Sequence, residues 1–193
     1  IRVKECAGFL VNRLLMPYLN EAAYTLQEGG VTVQEIDQAM VAFGFPMGPF
    51  VLVDTIGLDI CHDVVKVLLE EYGSRMKPAE LWEEIHRRGR YGTKSGAGFY
   101  DYGSGRDAEL EKIMNDIKKK PNFKKTKFSV ERLIYPMINE AILCVDERVS
   151  SESDIDMAMV AGIGFPQETE GILHYADQVG LDQVLKTLAQ IYQ

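Results

Sequence analysis

Much of the usual catalytic vocabulary is missing from this chain of 193 residues. Its three cysteines, Cys6, Cys61 and Cys144, are odd in number and far apart, with no C-x-x-C spacing. They support neither a disulfide framework nor a thiolate metal site, and a reducing compartment suits them best. No apolar run approaches the roughly 20 residues of a membrane span, and no charged-then-apolar leader precedes Ile1, so membrane insertion is not expected. Positive charge is in the minority: 21 Lys and Arg against 29 Asp and Glu give a net charge of -8, a balance that argues against a nucleic-acid partner. Histidine is scarce too, with only His62, His86 and His174. Glu83 and His86 have the E-x-x-H spacing of helical metal ligands, but the second such pair that a carboxylate-bridged centre needs is absent, and the segment reads as a surface helix with Arg87 and Arg88. There is no G-x-S-x-G elbow. Gly96 and Gly98 do not make a phosphate loop, because Asp101 stands where a third glycine belongs and no strand-then-helix context surrounds them.

What the chain does carry is helical periodicity. From Glu5 to Gly29, apolar residues at Val11, Leu14, Leu15, Tyr18, Leu19, Ala22, Ala23 and Leu26 recur at three- and four-residue steps, the pattern of one buried face of a long helix. Asn12 stands one turn before Leu15 and Met16 and two before Leu19, so its amide is expected on that apolar side, where it needs a partner. A neutral amide, with two donors and one acceptor, suits orienting or polarising an oxygen; from spacing alone a core Asn satisfied by neighbouring backbone is the favoured reading. Pro17, inside the same helix, removes a donor and predicts a kink.

Beyond Gly29 and Gly30, Thr32 and Glu35 predict a capping box for a helix ending near Met40. The run from Phe43 to Phe50 is a tight loop whose Pro49 opens a helix to Ile56. Asp59 is expected to cap a helix from Ile60 to Tyr72, and Pro78 to open another from Ala79 to Arg88 in which Trp82, with Leu81 and Ile85, anchors a core. Arg90 to Gly103 is too rich in glycine for a helix and reads as a loop with a short extended piece. A charged helix from Asp107 to Lys120 follows. Lys118, Lys119, Lys120, Lys124, Lys125 and Lys127, around Pro121, then read as a solvated connector.

Gly8, Phe9, Asn12, Arg13, Pro17 and Gly29, with Leu10, Tyr18, Leu19 and Leu26 between them, resemble the signature of the 3-hydroxyacyl-CoA dehydrogenase C-terminal domain. The Gly-x-Lys-x-Gly-x-Gly-Phe run from Gly92 to Phe99 is similar to a segment of the same family. The resemblance implies an all-α fold of the 6-phosphogluconate-dehydrogenase C-terminal-like type, in which Asn12 is the catalytic and substrate-binding residue that contacts the oxygen-bearing end of an acyl-CoA. It implies that a His base, its Glu partner and the NAD site lie in a preceding nucleotide-binding domain. No cofactor is therefore expected on this fragment. In the intact protein NAD would accept a hydride from C3 of an L-3-hydroxyacyl-CoA, and Met47, Gly48 and Pro49 are expected to line the acyl site. The chain opens on Ile1 rather than Met, and its first residues read as the end of one unit running into the next helix, so a fragment without dehydrogenase activity of its own is expected.

The sequence also repeats. RLIYPMINEAILCVDE from Arg132 answers RLLMPYLNEAAYTLQE from Arg13 at a spacing of 119 residues, with Pro136 for Pro17 and Asn139-Glu140 for Asn20-Glu21. Ile155, Asp156, Ala158 and Met159 answer Ile36, Asp37, Ala39 and Met40. Gly164-Phe165-Pro166 answers Gly44-Phe45-Pro46 at 120, and Gly180-Leu181-Asp182 answers Gly57-Leu58-Asp59 at 123. Each half is a helical unit whose apolar face could be covered by the other. The counterpart of Asn12 is Glu131, which suggests lost chemistry in the second half. Met47-Gly48-Pro49 has no clean counterpart, Gln167 to Glu170 standing in its place, and no glycine-rich tail like the first half's follows before Gln193.

Duplication with one degenerate copy resembles the multifunctional fatty-acid oxidation proteins, in which two such domains stand in for the homodimer of single-domain dehydrogenases. The expected organisation is a first domain over residues 1–103, a helix and Lys-rich linker over 104–128, and a second, shortened copy over 129–193. The pair would form a pseudo-dimer, monomeric or weakly oligomeric, in the cytoplasm or, in a eukaryote, the mitochondrial matrix. The rival reading is a non-catalytic assembly module that docks the parent's other domains or a second subunit.

Overall fold

The computed structural model describes residues 1–120 and 127–192 and is helical, with ten α-helices among the described residues. These are α1 (Phe9–Glu28), α2 (Val33–Phe43), α3 (Pro49–Ile56), α4 (Leu58–Tyr72), α5 (Glu80–Arg87), α6 (Asp107–Lys118), α7 (Val130–Asp146), α8 (Glu152–Ile163), α9 (Ile172–Val179) and α10 (Leu181–Ile191). Several ends form as local chemistry dictates. The Thr32 hydroxyl accepts from Glu35 N at 3.2 Å while the Glu35 carboxylate accepts from Thr32 N at 2.8 Å, closing the capping box of α2. Pro49 occupies the first turn of α3. The glycine-rich loop has two isolated bridges, Gly92 with Ala97 and Ala97 with Asp101, as its extended piece.

One boundary and the setting of one helix differ from expectation. Helix α4 starts at Leu58 and not at Ile60, with Gly57 as its cap; at φ 106° this glycine turns the chain from α3 straight into α4. Asp59 is therefore already inside the helix, and its carboxylate accepts from Lys94 Nζ at 2.6 Å. Helix α6 is charged, yet Ile113, Met114 and Ile117 are buried where it lies against α1 and α5, so it belongs to the packed body. Lys124 and Lys125, at the centre of the expected connector, lie outside the described residues.

At the middle of the molecule α1 lies against α7, each running through its internal proline. Their contact is reciprocal. Arg13 Nε donates to Glu140 at 2.7 Å and its Nη1 to Glu147 at 2.7 Å; Arg132 Nε donates to Glu21 at 3.1 Å and its Nη1 to Glu28 at 2.6 Å. Each pair is the other moved by 119 residues, so the patch is self-complementary in the manner of a two-fold dimer contact. Burial opposes the charge on Arg13, but the Glu147 and Glu140 carboxylates outweigh it and hold the guanidinium firmly protonated. Burial pushes the Glu21 carboxyl up, and Arg132 pulls it partly back. Next to these pairs, a Cβ on Gly44 would sit 2.9 Å from the Pro166 ring and one on Gly164 2.7 Å from the Pro46 ring, a second reciprocal contact, with the Phe45 and Phe165 rings meeting edge-on at 5.6 Å.

The loop before α9 corrects one expectation. Asp37 accepts from Phe50 N at 2.9 Å and Val51 N at 3.2 Å, and Asp156 accepts from Leu173 N at 2.7 Å in the same way. A Cβ on Gly48 would lie 2.3 Å from Asp37, and one on Gly171 2.3 Å from Asp156. Gly48 thus does have a counterpart. It is Gly171, displaced by the short turn Gln167–Thr169, and both are glycine because a carboxylate must reach the first amides of the next helix through the space a side chain would fill.

Because Glu140 is almost fully buried against a buried guanidinium, Glu140→Ala should leave Arg13 short of a partner and cost about 3–5 kcal/mol. Urea unfolding of the chain measures this; a loss under about 1 kcal/mol would show that the pair carries little of the contact.

Candidate functional site

The residues singled out from the sequence do not share one pocket. Asn12 is exposed and makes no hydrogen bond among the described residues. This corrects its expected burial. The first turns of α1 emerge from the core: Phe9 is 65% exposed, and Val11 is half-buried with Gly162 of α8 beside it. The face that is apolar further along the helix has nothing over it here. Its neighbour Arg13 turns inward instead and is completely buried, because Glu140 and Glu147 wait across the contact. Glu131, the counterpart of Asn12, is exposed as well, so the exchange is between two solvated positions and no buried amide was lost. Met47 is at the surface, whereas Gly48 and Pro49 are buried, the one making room for Asp37 and the other starting α3.

A groove of about 720 Å³ runs between α1, α7 and α10, floored by Pro17 and Pro136 and bordered by Asn20, Asn139, Leu185 and Tyr192. None of Asn12, Met47, Gly48 and Pro49 lines it.

One heavily bonded polar group is one that sequence reading passed over. Asp54, on α3 and completely buried, accepts from Phe99 N at 2.8 Å, Tyr100 N at 2.9 Å and the Tyr102 hydroxyl at 3.1 Å. The Tyr100 hydroxyl donates onward to Asp37 at 2.7 Å. Burial raises the pKa of both carboxyls, and these hydrogen bonds bring them part of the way back. Arg90, also completely buried, donates from Nε to Gly98 O and from Nη1 to Arg106 O, each at 2.8 Å. The glycine-rich loop is therefore wrapped around α3. The one available signal was the glycines themselves: a Cβ on Gly98 would fall 1.9 Å from Asp54 Oδ1, and one on Gly92 2.2 Å from the Asp54 carbonyl. An acid at the loop's centre opposes a pyrophosphate, so these residues do not fit NAD.

Other reactive groups are set in structural roles. Burial pushes the Cys61 and Cys144 thiols up to about 12, far from a nucleophile's range. Buried His62 meets Glu83 at 2.8 Å and stacks on His86 at 3.9 Å between ring centres. Among the described residues no three His, Cys, Asp or Glu side chains are placed to hold a metal, and no helix is long and apolar enough to cross a membrane. Trp82 is buried edge-on to Phe99, as a core anchor.

Two sequence-related helical halves pack across self-complementary ion pairs, and comparison with known proteins makes the assignment. The chain belongs to the family described as 3-hydroxyacyl-CoA dehydrogenase, C-terminal domain, whose model matches residues 8–102 and 128–193. Its relatives include the fatty acid oxidation complex subunit alpha of Vibrio cholerae, 39% identical over 98% of this chain and 27% of that protein, and that of Shewanella oneidensis, 40% identical over 97% and 27%. The chain thus spans about a quarter of the length of the curated relatives it matches. Among solved structures, the dehydrogenase part of multifunctional enzyme 1 from C. elegans matches 84% of the chain and 37% of its own length at 31% identity and a TM-score of 0.63. The 3-hydroxybutyryl-CoA dehydrogenase of Escherichia coli shares the fold over the whole chain and 58% of its own, with a TM-score of 0.81 at 23% identity.

Gly98→Ala should destabilise the chain by about 2 kcal/mol or more, since its methyl group would collide with a buried carboxylate in a loop that cannot retreat without breaking three hydrogen bonds. Chemical denaturation reads the shift; an unchanged midpoint would mean that the loop is held elsewhere.

Proposed function

We propose that this chain is the substrate-binding, C-terminal part of an NAD-dependent L-3-hydroxyacyl-CoA dehydrogenase of fatty-acid beta-oxidation. The observation that carries this is the near-complete match, at 39% identity, to alpha subunits of fatty acid oxidation complexes that extend well beyond it. In this reading residues 1–103 and 129–193 are two family domains acting as a built-in dimer, and the reciprocal Arg13–Glu140 and Arg132–Glu21 pairs support that pairing. The relatives in Vibrio and Shewanella support a cytoplasmic setting, with the mitochondrial matrix its equivalent in a eukaryote.

Asn12 is the residue assigned to the acyl-CoA. Its exposed amide offers two donors and an acceptor with no described partner, so it is free to hold an oxygen of the substrate without first breaking a protein contact. Met47, exposed beside Gly48 and Pro49, is the member of that turn able to touch an acyl chain. NAD, which takes up the hydride when bound, belongs to other parts of the intact protein, because the glycine-rich loop here does not fit it.

Two measurements test the assignment together. In the intact enzyme Asn12→Ala should lower turnover on the order of 100-fold, as loss of one oxyanion-type donor does. The same change in this chain should leave its melting temperature unaltered, since the side chain is solvated and unbonded. Undiminished turnover would remove Asn12 from the reaction. The purified chain alone should not oxidise 3-hydroxyacyl-CoA, and NAD-dependent turnover by it would overturn the division of labour.

A further inference from the structure

The two central helices begin in different ways. Helix α7 starts on local chemistry: the Ser129 hydroxyl accepts from Arg132 N at 3.3 Å, and Glu131 puts a negative charge in the first turn. Helix α1 has neither. Its cap is Gly8, which has no side chain to accept from the first amides, and no acid stands in its first turn. Gly8 and Phe9 are both left-handed, at φ 74° and 49°, and a start of that kind should fray. These turns are nonetheless the ones that carry Asn12.

Contacts from elsewhere replace the cap. The hydroxyl of Tyr72, the last residue of α4, donates to Ala7 O at 3.2 Å, and a Cβ on Gly8 would lie 2.7 Å from the Leu68 side chain, so the chain is held against α4 just before α1 begins. One turn on, the Arg13 guanidinium lies 4.3 Å from the centre of the Tyr72 ring and donates to Glu140 and Glu147 of the other half, each at 2.7 Å. Arg75 completes the cluster, 4.7 Å from the same ring and 3.1 Å from Glu140. Glu140 is the buried partner that offsets the burial of Arg13; the Glu147 side chain is 41% exposed, and its bond from Arg13 holds its carboxyl below the ordinary range. What Glu147 adds is direction. A guanidinium held at Nε and Nη1 by two carboxylates, with a ring against its face, cannot swing. The rotation of α1 about its axis is thereby fixed at Arg13, and Asn12, one residue and roughly 100° away, is fixed with it.

The twin of this arrangement supplies a contrast. Arg132 is held by Glu21 and Glu28 as Arg13 is by Glu140 and Glu147, but α7 has its own cap, and the residue before Arg132 is Glu131 where α1 has Asn12. One set of ion pairs packs the two halves together, and the other both packs and aims.

We propose that Tyr72 and Glu147 are positioning residues for Asn12: together they stand in for the missing cap of α1 and set the direction of its first turns, so that the second half serves the site through Glu147. This rests on the reading of Asn12 as the residue that meets the acyl-CoA. Two experiments separate the parts. In the 193-residue chain, hydrogen exchange at the Asn12, Arg13 and Leu14 amides should be slow in the wild type and about tenfold faster in Glu147→Ala and in Tyr72→Phe, while amides in the middle of α7 keep their rates. In the intact enzyme Glu147→Ala should lower kcat about tenfold, with KM for the acyl-CoA and the affinity for NADH little changed. Glu147→Gln, which keeps an acceptor for Arg13, should recover most of that loss. Glu28→Ala, the twin substitution at Arg132, should lower the melting temperature at least as much as Glu147→Ala and leave kcat as it was. Exchange that the variants do not alter would overturn the proposal, as would quickened exchange with an unmoved kcat, or a kcat lowered equally by Glu28→Ala. A wild-type parent without dehydrogenase turnover would overturn the reading of Asn12 and the aiming role with it, whereas quickened exchange would still show the clamp.

Discussion

The structure depends on a pair of buried arginines, each on one central helix and each answered by two carboxylates on the other. Removing a guanidinium from water is expensive, and the attraction of one carboxylate rarely does more than offset it. Here the cost is met twice by the same arrangement, and that has a consequence for specificity. Sliding α7 along α1 by one turn would separate Arg13 from Glu140 and Arg132 from Glu21 together, leaving charges of both signs buried without partners. Apolar packing alone, which is tolerant of such shifts, would not discriminate so strongly. The aromatic rings of Tyr18, Phe45 and Phe165 and the reciprocal glycine and proline contacts then fill the space that this register defines.

What the two halves share and what they do not are divided along physical lines. The shared portion is the central helix, the capped helix that follows, and the carboxylate-gripped start of the next, with Asp37 and Asp156 in equivalent roles. All of these face the common contact, where a change in one half strains the other. The unshared portion faces outward. Asp54, which holds the glycine-rich loop to the first half, corresponds to Asp177 at 123 residues' spacing, and Asp177 is exposed. None of the described residues donates to that carboxylate, and solvation is the stable state of a charge without donors.

The sequence spoke clearly wherever local chemistry decides. A capping box, a proline at a helix start and glycines at helix ends place most boundaries to within a residue or two, and the repeat of RLxxPxxNEA identifies the two helices that meet. It misled at Asn12 because periodicity describes a helix as if it were covered evenly along its length. Helix α1 is covered from Leu10 onward but not on every side of its first turns, and the same stripe that holds Leu15 and Leu19 leaves the core before it reaches Asn12. The inward place went to Arg13, which looks like a surface residue until its partners, 127 and 134 positions away, are known. Asp54 was invisible for the same reason. An aspartate between apolar neighbours in a short helix gives no hint of three groups brought to it by a loop some 45 residues later.

Exposure of Asn12 also constrains how it can act. In water, an amide that grips a substrate oxygen merely exchanges one hydrogen bond for another, with a net gain near 1 kcal/mol, too little to orient a reaction. The same donor becomes effective when the surrounding dielectric is low and competing water is gone. Nothing on the helical pair encloses Asn12: Phe9 beside it is largely bare, and the one sizeable groove described lies elsewhere. A catalytic part for this residue therefore requires a second surface to close over the start of α1, and exposed Phe9 gives that surface apolar area to close upon. In the proposed role the helical pair would supply rigidity and a donor, and the exclusion of water would have to come from outside it.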